Sequence, residues 1–178
     1  YGLALKELGQ QNGDVVVLDA DVSTSTKSCY FGDAFPDRFF NVGVSELGMV
    51  SMAAGFSTVG LIPFANAFAT FLSLRGGDAI QGQIAVDNLN VKLVASYSGY
   101  AAGQDGPSHH GITDLSLLRS MPNMTVLTAC DPLSVRKAVF AAAKHIGPVY
   151  LRLSRMKVDP VYTGDFANAP YTVGGSTL

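Results

Sequence analysis

Four short runs of β-branched and apolar residues constrain the fold of this chain most: 15–18, 91–95, 124–127 and 149–153. Each is about four to six residues long and bounded for the most part by Gly, Asn, Asp or Pro, the pattern of strands covered on both faces. Longer stretches of helical character lie around and between them. Residues 1–11 form one, with Gly13 as its stop. Residues 45–60 form another, with Ser45 as a candidate N-cap and Ala53, Ala54 and Gly55 small enough for close helix packing. Residues 67–88 read as one or two helices interrupted at Gly76 and Gly77; 114–119 and 131–144 follow, the latter opened by Asp131 as N-cap and Pro132 at N1. Strands alternating with helices predict an open, mainly parallel α/β sheet with helices on both faces, whose ligands bind outside the carboxyl ends of the strands.

Composition narrows the function classes. With 178 residues, 48% of them hydrophobic, the chain has enough apolar content for a single core and is not a disordered protein. Twelve basic residues against fourteen acidic ones give a net charge of -2, and no Lys/Arg run supplies a basic patch, so no nucleic-acid partner is expected. The two cysteines, Cys29 and Cys130, are too few for a disulfide scaffold and suit a reducing, cytoplasmic setting. The apolar runs are broken well short of roughly 18 residues, so no membrane span is expected. No secretory leader is expected from the residues that open the chain, and from Met156 onward Pro160, Gly164, Pro170, Gly174 and Gly175 interrupt any periodicity. The expected organisation is a folded domain over 1–157 and a linker over 158–178 toward a domain that the chain lacks.

Several polar groups fall where a strand end would place them. The first strand runs into Leu18-Asp19-Ala20-Asp21-Val22-Ser23. Two acids there invite comparison with a phosphoacceptor site, but an Asp that caps the following turn is the favoured reading, since the late Lys such a site wants is not evident at the later strand ends. Glu46 is a lone carboxylate opening an almost wholly apolar helix, with no further acid until Asp78. It either complements the helix dipole or is a partly buried acid that needs a partner, as acid/base and cofactor-binding groups do. Phe68 and Phe71, three apart, would share a helical face as core or as a stacking platform for a flat heterocycle. The loop 99–111 concentrates Asp105, Ser108, His109 and His110 among glycines and a proline after a strand. That density of polar groups favours a site, though neither metal-ligand spacing nor a phosphate-binding loop is present. Ser108 beside His109 is no catalytic pair by adjacency alone.

Taken in order, Leu18-Asp19-Ala20-Asp21, Gly43-Val44-Ser45-Glu46-Leu47-Gly48-Met49, Phe68 with Phe71, Gly103-Gln104-Asp105-Gly106-Pro107-Ser108-His109, Leu117-Leu118-Arg119-Ser120-Met121-Pro122-Asn123 and Leu153-Ser154-Arg155 resemble the pyrimidine-binding, central domain of transketolases. The likeness is strongest to the C-terminal subunit of split transketolases; deoxyxylulose-phosphate synthases share the fold and the glutamate but match the loop less well. The resemblance implies the thiamine diphosphate-binding, pyrimidine-domain type of α/β fold and a transferase moving a two-carbon ketol unit between sugar phosphates. It implies that Glu46 hydrogen-bonds the aminopyrimidine of thiamine diphosphate, that Phe71 stacks on that ring beside Phe68, and that Asp21 lines the cofactor. On the substrate side it implies Asp105 for sugar hydroxyls, His109 near the reacting carbonyl, Arg155 for the phosphate, and Ser23. One departure stands out: where many transketolases carry a phosphate-binding His eight residues before the loop Asp, this chain has Tyr97. The Gly-Asp-Gly…Asn motif that grips the diphosphate through Mg²⁺ or Ca²⁺ is missing, so the resemblance implies a diphosphate-binding N-terminal subunit as partner, in a homodimer or heterotetramer. A non-catalytic dimerisation or regulatory module of the same fold, or a fragment of a deoxyxylulose-phosphate synthase, are the alternatives.

Overall fold

Six parallel strands form one sheet in the order β2-β1-β3-β4-β6-β5. In the computed structural model they are β1 (Val15–Asp19), β2 (Phe39–Asn41), β3 (Ile62–Phe68), β4 (Lys92–Ser96), β5 (Thr125–Thr128) and β6 (Val149–Arg152). The structure describes residues 1–100, 102–163, 168 and 171–175, so Ala101 of the polar loop and much of the expected 158–178 linker, with Gly164 and Pro170, lie outside the described residues. The helices are α1 (Gly2–Gln11), α2 (Ser23–Thr26), α3 (Cys29–Ala34), α4 (Glu46–Thr58), α5 (Ala69–Arg75), α6 (Gly77–Ala79), which runs on into a π-helical turn over Ile80–Ala85, α7 (Asp114–Arg119) and α8 (Pro132–Lys144).

Four strands coincide with the apolar runs, because β1 and β4 are buried along their whole length and β6 nearly so. Two strands were not expected. β2 has only three residues, too few for a pattern, and β3 contains Pro63 and Asn66 among alanines rather than β-branched residues. β3 nevertheless holds the centre, paired with β1 on one side and β4 on the other. The helix expected to begin at Ala67 therefore begins at Ala69, after a strand.

Successive strand residues face opposite layers. Val15, Val17, Phe64, Val94 and Leu151 pack with Leu5 and Leu8 of α1, Phe31 of α3 and Val139 of α8. Leu18, Ala65, Leu93 and Tyr150 pack with Met49, Val50 and Ala53 of α4, Leu72 of α5, Ile80 and Ile84, and Leu118 of α7. Each fully buried Leu, Ile or Phe in these layers contributes roughly 2–3 kcal/mol. The α8 start matches the expected N-cap and N1 pair, with Asp131 accepting from the Ser134 amide and Pro132 in the first turn, and adds a capping box in which the Ser134 hydroxyl accepts from the Asp131 amide. Asp131 also accepts from the Val161 and Tyr162 amides at 3.0 Å each, tying the chain beyond β6 to this cap. Ser45 occupies the N-cap position of α4 without making a side-chain cap bond.

Cys29 and Cys130 are free thiols. Among the described residues, no helix is long and apolar enough to cross a membrane.

Candidate active site

All strands run the same way, so the carboxyl ends of β1, β3, β4 and β6 open onto one edge. β1 lies between β2 and β3, which is where the connections change direction and where α/β sheets form a crevice. Asn66 of β3 fills the base of that crevice, donating from its side chain to the carbonyls of Leu18 (3.0 Å) and Phe64 (2.9 Å) and accepting from the Tyr1 hydroxyl. Asp19 is fully buried beside it and accepts from the Val22 amide (2.6 Å) and the Thr26 and Ser28 hydroxyls (2.8 Å each). Burial raises its carboxyl above the ordinary value, and those three bonds oppose the rise. Of the two open possibilities for Asp19, the turn-organising one is what the structure shows.

Glu46 stands at the start of α4, delivered by the turn after β2, where Gly43 takes a positive φ of 72°. The first turn presents an acid to the positive end of the helix dipole. The residue is 4% exposed, so its carboxylate needs a partner, and Arg75 at the end of α5 supplies one at 3.1 and 3.2 Å. The same guanidinium lies 4.1 Å over the Phe71 ring. Phe71 is in the first turn of α5, whereas Phe68 is the last residue of β3. The shared helical face expected for the two is therefore corrected: a strand end and a helix start bring their rings to 6.2 Å. The cause is the bend between β3 and α5, with Phe68 held in extended backbone at the N-cap.

The loop after β4 docks against this pair. His109 meets Phe71 edge-on at 5.0 Å and lies 6.0 Å from Phe68. Its Nδ1 is 2.9 Å from the Ser108 hydroxyl. Tyr97 stacks on Phe68 at 4.1 Å, and the Arg155 guanidinium sits 4.7 Å over the Tyr97 ring. Arg155, just beyond β6, donates to Asp105 Oδ2 (2.9 Å) and to the Ala102 carbonyl (3.1 Å). An unbroken line of contacts thus runs from Glu46 through Arg75, Phe71, His109, Phe68, Tyr97 and Arg155 to Asp105.

A second cluster holds the loop's exit. Asp114, 1% exposed at the start of α7, accepts from the Tyr150 hydroxyl (2.9 Å) and from Arg152 Nε (2.8 Å), both at Oδ2. Arg152 reaches the Gly111 carbonyl, which also accepts from the Gly99 amide at 2.8 Å. Glycine is required at 111, where a Cβ would come within 2.7 Å of the Ala69 side chain.

The structure brings Glu46, Phe68, Phe71, Asp105, His109 and Arg155 together. Asp21 and Ser23 stand apart from that line. Asp21 is exposed with a φ of 63° and accepts from the Asn41 side chain, while Ser23 starts α2. Arg75 and Asp114 escaped sequence reasoning. Arg75 meets its carboxylate across 29 residues; an unpaired buried acid was the signal that a cation had to exist. Tyr97 registered only as a departure, and its stacking role depends on β3 and β4 being neighbours. Beside the line, a cleft of about 620 Å³ is lined by Tyr1, Ser25, Lys27, Tyr97, Arg155 and Lys157, among others. It adjoins the aromatic pair at Tyr97 rather than covering Glu46. Among the described residues, no three His, Cys, Asp or Glu side chains group as metal ligands.

Comparison with known proteins places this arrangement. Residues 1–160 match the family described as the transketolase pyrimidine-binding domain. A protein of Methanocaldococcus jannaschii that carries the name of a transketolase C-terminal section is 40% identical over 174 residues, 98% of this chain and 55% of its own. A 1-deoxy-D-xylulose-5-phosphate synthase of Carboxydothermus hydrogenoformans is 41% identical over 155 residues, 87% of this chain and 25% of its own. Among solved structures, a split-gene transketolase described as an inactive β4 tetramer superposes with a TM-score of 0.86 at 45% identity, covering 98% of this chain and 55% of that one. This chain therefore spans about half the length of the split-transketolase relatives it matches, and a quarter of the synthase.

Proposed function

This chain belongs to the transketolase family, as a pyrimidine-binding domain, and we propose that it supplies one half of a thiamine diphosphate-dependent active site that transfers a two-carbon ketol unit between sugar phosphates. The observation that carries the reading is Glu46: a carboxylate 4% exposed at a helix start, joined through one flat guanidinium to the face of Phe71. The residues fit the cofactor's aminopyrimidine. Arg75 is itself a flat group that donates N–H bonds to Glu46 while lying on Phe71, the pair of contacts an aminopyrimidine asks for.

Thiamine diphosphate, when bound, supplies the nucleophilic carbon that accepts and passes on the ketol unit. The chain's own groups bind and orient around it. Glu46 holds the ring nitrogen through its carboxyl, and Phe71 and Phe68 supply the stacking face. His109 faces the reacting carbonyl, Asp105 takes sugar hydroxyls, and Arg155 presents a fork to the phosphate. Asp21 and Ser23 flank the β1 end of the same edge. The diphosphate and its Mg²⁺ or Ca²⁺ belong to an N-terminal partner subunit in a homodimeric or heterotetrameric assembly, which works in the cytoplasm. Val44, Leu47 and Met52, exposed by 70%, 49% and 43% next to Glu46, form the apolar face that partner covers. The domain proposed over 1–157 stays tied to the segment after it through the Val161 and Tyr162 amides on Asp131.

The test is to assemble the full-length polypeptide with a chain bearing the Gly-Asp-Gly…Asn motif, add cofactor and Mg²⁺, and measure ketol transfer. Glu46→Ala is expected to lower kcat by about 10²–10⁴-fold; undiminished transfer would remove Glu46 from the chemistry. A deoxyxylulose-phosphate synthase is the second reading, favoured by the match to such an enzyme. Formation of 1-deoxyxylulose 5-phosphate by the same assembly would select it.

A further inference from the structure

Tyr97 is the one bulky residue of the line held in left-handed backbone, at φ 60°. Such a conformation is strained for a large side chain and persists only where surrounding contacts impose it. Here they are two. Phe68 covers one face of the ring, nearly parallel at 22° and 4.1 Å between centroids. A stack that close fills a face, so the Arg155 guanidinium, 4.7 Å from the same ring, takes the other. The residue is 8% exposed and lines the cleft. Both bonds that Arg155 makes to described residues use Nη1, which leaves the protons on Nε and Nη2 for an anion. Lys27 and Lys157 add positive charge to the cleft wall, which Ser25 and Thr26 line as well. Asp131, the carboxylate in that wall, is already engaged by three backbone amides.

We propose that Tyr97 is a positioning residue for Arg155: its ring, braced by Phe68, holds the guanidinium at the height and tilt at which its free fork meets the anionic end of a ketose phosphate. Preference for a phosphorylated over an unphosphorylated donor then depends on the ring of Tyr97 and not on its hydroxyl. This rests on the ketol-transfer reading for the identity of the substrate.

The experiment uses the assembled two-subunit enzyme and compares a ketose phosphate with the free ketose. It also follows binding of inorganic phosphate by ³¹P line broadening on the assembly. Tyr97→Phe keeps the ring and is expected to match the wild type. Tyr97→Gly relieves the backbone while removing the ring. It is expected to raise KM for the ketose phosphate and Kd for inorganic phosphate by the same factor, roughly 3- to 30-fold, with kcat within about twofold and the free ketose unaffected. Equal losses on both donors, or Tyr97→Phe behaving as Tyr97→Gly, would overturn the proposal. Arg155→Ala separates the levels. If it raises KM for the ketose phosphate and Tyr97→Gly does not, only the role of Tyr97 falls. If Arg155→Ala changes neither KM nor phosphate binding, the substrate grip assigned to Arg155 falls first.

Discussion

Replacing Asp114 by Ala tests the clamp that holds the polar loop. Its carboxylate is 1% exposed, and Oδ2 takes both the Tyr150 hydroxyl and Arg152 Nε. Burial, and then the neighbouring Asp114 charge, push the Tyr150 phenol well above its ordinary range, so it stays a proton donor at any working pH. Removing the acceptor strands a hydroxyl in a fully buried residue and a guanidinium whose side chain is 20% exposed. Breaking a buried pair by deleting one partner costs about 3–5 kcal/mol. An unsatisfied buried hydroxyl costs about 1–3 kcal/mol by itself. The two do not add, because Arg152 retains a path to water. The expected loss is therefore about 3–5 kcal/mol, or a fall in Tm of roughly 6–20 °C for a chain of this size. Urea unfolding at unchanged m-value gives the number directly. A loss below about 1 kcal/mol would refute the view that this pair is buried and tight. The triple variant Asp114→Leu, Tyr150→Phe, Arg152→Met is the internal control: with every polar partner gone, stability is expected to return to within about 1–2 kcal/mol of the wild type.

Two further outcomes concern pH. Asp131 would be raised by burial, but the amides of Tyr162, Ser134 and Val161 and the Ser134 hydroxyl win and hold its carboxyl at about 2. A folded-state value below the unfolded one means the contribution is complete above about pH 4 and is lost as pH falls toward 2. In Asp131→Ala, acid unfolding monitored by circular dichroism is expected to lose that dependence, with a loss of about 1–2 kcal/mol at neutral pH from the missing cap. Lys92 lies at the opposite end of the sheet, fully buried, donating to the Asn90 side chain and to the carbonyls of His145 and Gly147. Burial lowers its ammonium to about 7. Between about pH 7 and 10 the unfolded chain then binds more protons than the folded one, so stability rises with pH, by up to about 1.4 kcal/mol per unit. Denaturation across that range is expected to show the slope in the wild type and to lose it in Lys92→Met; a flat wild-type profile would mean that Lys92 is solvated.

What could be read before the fold was known follows from how local each signal is. β1, β4 and β6 announced themselves because strands buried on both faces must be apolar without interruption, as Val15-Val16-Val17-Leu18 is. β3 hid because its work is positional: Asn66 spends its side chain bonding neighbouring carbonyls, and Ala65 and Ala67 both face the layer of α4, α5 and α7, where small residues leave room for those helices. The α8 start was legible down to its cap, since a capping box needs only four consecutive residues. Glu46 was legible as an anomaly, an acid in an apolar helix. Its partner was not, because Arg75 reaches it by way of the β3–α5 bend, which no local pattern encodes.

The same distinction explains why the candidate site is a line and not a pocket. Its members come from the start of α4, both ends of α5, the ends of β3 and β4, the loop before α7 and the segment after β6, so the crossover order of the sheet sets their spacing. Two of its contacts are between neighbours in that order: β3 beside β4 puts Phe68 on Tyr97, and β4 beside β6 puts Tyr97 under Arg155. A line at a sheet edge has one wall. Arg75 and Arg155 keep 51% and 39% of their side chains exposed, and Leu47 and Val44 stand open next to Glu46. Charge–carboxylate pairs this exposed contribute about 0–1 kcal/mol to stability. Buried Glu46 accounts for Arg75; on the proposed reading a second wall would add to what both arginines do. Covering the edge with another domain would dehydrate both guanidinium groups, strengthen every bond they make, and convert the row of contacts into a closed site.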